Sequence, residues 1–350
     1  MKHFLPLCAV FILFALLGSP VYPQQSSAPL FVVYEGNRCG FIDSAGKVVV
    51  HLSFNGCEDF SEEYGPVQVG SEWGFIDRDG NTQIVPQFDE VRWSFSEGLA
   101  AVRSGKKWGY IDKTGKFVIA PRFDYAQGFT DGRAIVLVGE RHGIIDKTGA
   151  LLGGLYDYSE WNFSEGLLAV QDGDLWGFID TSGKYAIPLQ FHNALNFSEG
   201  LAAVELSAEK NAWGFVDHQG RFVIQPQFGD AGFFGEGLAP VGVNSRYGYI
   251  DKEGKIAIKP QFDYAYQFTE GRACVKNVEQ KYGFIDKTGK TIIELKYDLS
   301  FPFHSGLAPV GTGNWHSEDP HAEGPHGFPV FSGNWSYIDR QGHEVWQSPN

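Results

Sequence analysis

The phrase WGYIDKTGKFVI at residues 108–119 returns in varied form until the chain holds nine copies, with the Asp standing at Asp43, Asp77, Asp112, Asp146, Asp180, Asp217, Asp251, Asp286 and Asp339. The steps between these residues are 34, 35, 34, 34, 37, 34, 35 and 53, so only the last breaks the period. Such a period overrides the usual reading of 350 residues as two or three domains, because a repeat array grows by adding units to one continuous core. Residues 29–350 are therefore read as a single repeat domain.

Each unit runs LAAV, a short polar gap, WGFID, two turn residues, GKxVI, then PQFDYA and FSEG leading into the next LAAV. Aromatic and β-branched residues punctuated by Gly predict three short strands and a connector. Asp and Gly stand three apart in every copy, as Asp112 and Gly115 do. An Asp there accepts from the backbone two residues on, and Gly takes the left-handed conformation that ends a bulged hairpin, so these acids read as turn residues. Glu97-Gly98 and Glu199-Gly200 mark a second turn by the same chemistry. Pro86, Pro121, Pro188, Pro226 and Pro260 are expected to close the third strand, since Pro cannot donate to a ladder.

The ring that opens the phrase is Trp73, Trp108, Trp176, Trp213 and Trp335, Tyr in Tyr247 and Tyr282, and is replaced by His142 and Cys39. Burying one such ring contributes roughly 4–6 kcal/mol. Ordering a unit of about 34 residues costs on the order of 50 kcal/mol, so no unit folds alone and neighbours must share an apolar seam. The expectation is an all-β, nine-unit array of three-stranded meanders. An open, solenoid-like superhelix is preferred and a closed β-propeller is the alternative, because nine units exceed the typical four to eight blades and no clasp is evident. A fourth strand from QFDYA would turn the balance toward the propeller.

With Lys107-Trp108-Gly109 through Asp131-Gly132 on the page, the chain resembles the WG-repeat, or KWG-repeat, proteins, whose unit is KWGFIDxxGKxVIxPxFDxAxxFxEGLAxV. The resemblance spans roughly residues 30 to 347 and implies a β-repeat of a kind found in many bacterial, often exported, proteins; it implies little about activity. Cys39 and the SEEYG stretch in the first copy, and Ser336 and a long insertion in the last, look like end-capping variants.

The segment MKHFLPLCAVFILFALLGSPVYPQQSSAP carries one Lys and an apolar run from Phe4 to Leu17, and reads as a cleaved secretory signal over 1–28. Without it, 27 basic against 42 acidic residues leave −15, which disfavours nucleic acid and anionic membranes. The mature chain is expected to be secreted or periplasmic, with no membrane insertion. Cys39 and Cys57 share one repeat and are candidates for a disulfide, while Cys274 takes a small-residue strand position and reads as a buried filler.

Two clusters are candidates for binding. Two residues before the FSEG-type Phe stand Trp93, Trp161, Tyr266 and Phe301, and stacked repeats would align them into an aromatic row suited to sugar rings or peptide side chains, with packing between units as the alternative. In the insertion at 312–332, His316, His321 and His326 recur every five residues among acids, a set competent for zinc or copper but matching no specific motif. DRDGN at 77–81 lacks the later Glu of a calcium loop. Asn162, Asn196 and Asn334 fit glycosylation sequons. No nucleophile elbow or phosphate loop is present, so the chain reads as a non-enzymatic scaffold without cofactor, binding a protein or a cell-envelope glycan. An enzyme on glycans with a loop-borne acidic site, or a structural spacer, are the alternatives.

Overall fold

The computed structural model describes residues 28–206, 212–313 and 334–348, all strand, turn or link, with no helix among them. Nine antiparallel sheets follow one another along the chain: the first, at 30–54, has three strands, and each of the other eight has four. Blade 3 shows the pattern, with strands Glu90–Val91, Ala100–Ser104, Lys107–Ile111 and Phe117–Phe123 paired in that order. These are called strands A to D of a blade.

Tyr125-Ala126 of QFDYA is a strand, and it pairs with Leu137 and Val136 of the following blade. The unit of folding is thus shifted against the unit of sequence, and it is four-stranded rather than three. Strands B and C are buried along nearly their whole length, as the Ala100–Val102 and Trp108–Ile111 runs show. Strand D alternates, with Val85 63%, Val118 50% and Val223 49% exposed, and so forms the outer rim; the two-residue strand A lies at the opposite edge, toward the axis.

The proline expectation needs correction. Strands D run on through Pro86, Pro121, Pro188, Pro226 and Pro260 to a terminal Phe, as in Thr82–Phe88. A strand on the free edge of a sheet has backbone groups pointing to solvent, so the missing N–H of Pro costs no ladder bond. The register also shifts beside it, between Trp108 and Ile111 of strand C.

The turns form as the spacing requires. Asp112 Oδ1 accepts from Thr114 N–H at 2.8 Å and Lys116 N–H at 3.2 Å, and Gly115 sits at φ +81°. The Thr114 hydroxyl and N–H hold the Asp112 carboxyl below the usual carboxylate range. Glu97 and Gly98 are both left-handed, at φ +51° and +82°, which makes the two-residue turn between Ser96 and Leu99.

The ring closes, so the propeller alternative replaces the open superhelix. The first and last copies do not cap free ends but pack on each other: Phe31 and Tyr337 lie 5.6 Å apart between centroids, and the Tyr337 hydroxyl donates to Val32 O at 3.1 Å. Phe31, Val33, Ile42 and Leu307 form the buried cluster there, with Leu52, Val345 and Trp346 against it. Among the described residues no strand is exchanged between blades, and closure is made by side-chain packing.

Two devices join neighbouring blades. Except at Gly183, the C-D hairpin Gly sits over a non-Gly D-strand residue of the preceding blade, so that a Cβ on Gly115 would lie 3.1 Å from Ile84 and one on Gly254 2.9 Å from Ile224. The second device is a carboxylate pin. The Glu of one blade's A-B turn accepts the N–H of the Gly in the next blade's turn and pairs with the cation one residue past that blade's hairpin Asp. Glu97 thus holds Gly132 N–H at 3.0 Å and Lys147 Nζ at 3.0 Å. Glu62, Glu199, Glu236 and Glu270 repeat it with Lys113, Lys252, Lys287 and Arg340, and Glu165 holds Gly200 N–H with the His218 ring in the cation's place. Sequence reading took this Glu for a turn residue alone.

Cys39 and Cys57 form a disulfide, with Cα atoms 6.0 Å apart. It links blades as well as residues: Cys39 belongs to strand C of blade 1, and Cys57 to strand A of blade 2. From blades 3, 5 and 6 the Trp ring shares a buried cluster with the next blade's Ala, as Trp108 does with Ala126. Cys274 is fully buried in the core of blades 8 and 9, as its place in the repeat implied.

Candidate functional site

Antiparallel strands put the A-B turns and C-D hairpins on one face of the ring, and the B-C turns and D-to-A links on the other. The first face is uniform, because pins and Asp-Gly hairpins recur there. On the second, the link face, the cross-strand triples at the top of each blade differ. Blade 3 has Glu90, Arg103 and Trp108; blade 5 Tyr158, Gln171 and Trp176; blade 7 Asp230, Gly242 and Tyr247; blade 8 Tyr264, Lys276 and Tyr282. Positions dictated by the fold repeat from blade to blade, as the buried Ala-Val of strand B does. Positions that vary are left to something other than folding.

The link face of blades 7 and 8 concentrates aromatic rings that are half-buried. Tyr247 and Tyr264 lie 5.4 Å apart between centroids, and Tyr264 and Tyr266 5.0 Å. Burial, with Asp230 next in effect, pushes the Tyr264 hydroxyl up to about 12, and burial with Cys274 does the same to Tyr282. Lys276 Nζ sits 5.3 Å over the Tyr282 ring, and burial lowers its pKa. Tyr247 donates to Asp230 Oδ2. Glu205 of blade 6 is raised by burial, opposed by His192 and reinforced by Asp230. Beside this group an open depression of about 280 Å³ is lined by Ala212, Gln227, Phe228, Gly229, Gly242, Val243 and Asn244. Gly229 and Gly242 leave it room by having no side chains.

The sequence-derived aromatic row divides in two. Tyr266 and Phe301 directly follow strand A, with N–H groups bonded to Cys274 O at 2.9 Å and Pro309 O at 3.2 Å. In blade 5 the same bond is made by Glu160, to Ala169 O at 2.9 Å, so Trp161 is one residue out of register. Trp93 is displaced likewise, since Phe95 stands four residues after Val91, whereas Phe129 stands three after Ala126. Counting back from Phe hid this extra connector residue. Arg92, beside Trp93, lies over the Tyr125 ring of blade 4, 5.7 Å from its centroid. Tyr266 meets Tyr264, and Phe301 stacks on Trp335 with centroids 6.4 Å apart, on adjacent blades. Tyr247, Tyr264, Tyr282 and Lys276 are not marked as a site by the repeat pattern; the available signal is Tyr replacing Trp in two consecutive copies.

His316, His321 and His326 lie outside the described residues, as does residues 1–27 of the expected signal. Among the described residues no group of three or more His, Cys, Asp or Glu is placed to hold a metal ion. Asn196 of one sequon is 1% exposed, its Oδ1 accepting from Ala169 N–H at 2.9 Å and its Nδ2 donating to Asn162 O at 2.6 Å, so in the folded chain it serves packing.

Glu160 carries a pH prediction. Burial raises its carboxyl from 4.5 to about 7 against a weaker backbone hydrogen bond at Trp161. A group raised on folding contributes stability that is complete below its unfolded value and is lost as pH rises through the folded one. Melting temperature should therefore fall between pH 5 and pH 8 by more in the native chain than in Glu160→Gln; identical profiles would refute the assignment. His142, lowered by burial, acts in the opposite direction at acid pH.

These features define a closed nine-bladed propeller of four-stranded repeats with one variable face. The model of the WG containing repeat matches at 40–73, 73–108, 108–141, 176–207, 213–247, 247–281 and 282–314, more than half of the chain. The protein belongs to the WG-repeat family. No curated protein matches it. Among solved structures, a eukaryotic initiation factor is similar over 92% of this chain and 96% of its own, at 10% identity and TM-score 0.62, which supports the fold alone. The computationally designed Ika8 protein covers 82% of this chain and 97% of its own at 11% identity and TM-score 0.49, and BamB from Moraxella catarrhalis 74% and 92% at 10% and 0.41.

Proposed function

We propose that the protein is a non-enzymatic, exported binding scaffold that recognises another protein through the link face of blades 6 to 8. The carrying observation is the half-buried tyrosine arc Tyr247-Tyr264-Tyr266 with Lys276 on one side and Asp230 and Glu205 on the other. Tyr rings give contact area at low entropic cost and are enriched where proteins meet, and a flanking charge of each sign fixes orientation. A cell-envelope glycan is the second reading, since the same rings offer flat faces to sugars with carboxylates and phenols at their edge. An interblade disulfide suits an oxidising compartment, in keeping with the expected signal. The hairpin acids are engaged by backbone, which favours binding over catalysis.

The test is capture from the native envelope, paired with a glycan array, using the whole exported chain. Lys276→Glu should weaken capture at least about tenfold while its melting temperature stays within about 2 °C, as for most surface substitutions. Trp93→Ala and Trp161→Ala should leave it unchanged. Loss with the Trp variants but not with Lys276→Glu would move the site to the connectors and reject the link face.

A further inference from the structure

The pins are not spread evenly around the ring. They hold blade 2 to 3, 3 to 4, and every consecutive pair from 5 to 9. The disulfide ties blade 1 to blade 2. Two joints are left, between blades 4 and 5 and between blades 9 and 1, and they divide the ring into an arc of blades 1–4 and an arc of blades 5–9.

The joint between blades 4 and 5 has lost the pin and altered two of the recurring packing contacts. Asp131 replaces the pin Glu, and Thr181 replaces the cation; Arg133 Nε donates instead to Thr181 O at 2.6 Å. The Trp-on-Ala contact has become His142 Nδ1 with Ser159 Oγ at 2.9 Å. The D-strand Ile under the hairpin Gly has become Gly153, whose backbone meets that of Gly183 directly. The pin and the ring-on-Ala contact are thus gone, while the joint stays linked, as a hinge must, by Arg141 with Asp157 at 3.2 Å and Asp172 at 2.8 Å and by the buried cluster of Ile135, Ile144, Tyr156, Phe163, Leu168 and Val170. The family model also skips residues 142–175, which span this joint. The 9–1 joint is the one place in the ring where neighbouring blades are not consecutive in the chain. It lacks the pin as well, with Ser305 at the Glu position and Ser44 at the cation position. Its apolar cluster and the Tyr337 bond remain.

We propose that the two arcs move as bodies, hinging at the 4–5 joint and opening at the 9–1 joint, which lies nearly opposite in the ring. Opening there parts the wall of the central channel without breaking a pin or the disulfide. The inference does not depend on what the link face binds.

Hydrogen exchange on the oxidised full-length chain tests it. Asp131→Glu with Thr181→Lys rebuilds the pin at the hinge; His142→Trp with Ser159→Ala rebuilds the apolar contact by a different route. Each pair should slow exchange of the inner connector of blade 5 by about tenfold, and also slow residues 30–35 at the distant 9–1 joint severalfold. Slowing confined to the 4–5 joint would show local looseness and overturn the hinge. No slowing at either joint, with both pairs folded, would overturn the two-arc division itself.

Discussion

Cys39→Ser with Cys57→Ser is expected to destabilise the ring by about 3 kcal/mol, the usual worth of a bridge closing a loop of this size. That is about 5 °C in melting temperature for a large domain. Among the described residues blade 1 has three strands, no A-B turn and no pin, so its contact with blade 2 depends strongly on the bridge across an 18-residue separation. Calorimetry of the oxidised, reduced and doubly substituted chains measures the effect. The reduced chain should behave as the substituted one, and Cys39 and Cys57 should alkylate before Cys274. Cys274 is buried, and burial pushes its thiol up to about 12, so the thiolate that reacts is scarce there. An unchanged melting temperature after reduction would show that packing alone seats the first blade.

Gly109→Ala is expected to cost about 3 kcal/mol, the upper part of the range for overpacking a core. A Cβ at this residue would lie 2.5 Å from Ile119 O and 2.7 Å from Pro121 N, both backbone atoms of the adjoining strand D. The Gly after Trp73, Trp108, Trp176 and Trp213 therefore lets strand D cross close over strand C at the register shift. Gly105→Ala provides the contrast: its φ is +65° but nothing lies within 4 Å of the added carbon, so only the left-handed penalty of about 1–2 kcal/mol applies. Equal loss at the two sites in urea titrations would mean that backbone conformation, not close approach, explains the repeated Trp-Gly pair.

The turns and the buried strands were legible because they rest on local chemistry. Asp112 and Gly115 specify their hairpin within five residues, and the repeated Ala-Val of strand B can only be core. The aromatic row was misread for an equally local reason: one extra residue in the connectors of blades 3 and 5 puts Trp93 and Trp161 out of step, and no apolar pattern marks which residue is the insertion. The tyrosine arc was not legible, because Tyr247 and Tyr264 come from different blades and meet through the angle between two sheets.

Sequence alone determined that nine similar β units share apolar seams, where the Asp-Gly hairpins and Glu-Gly turns fall, and that strand B is core. The tertiary structure decided that the array closes, that Cys39 and Cys57 staple different blades, and that pins leave two joints free. Each of those depends on the rotation between consecutive sheets. That rotation is summed around the whole ring, and no single 34-residue copy encodes the sum.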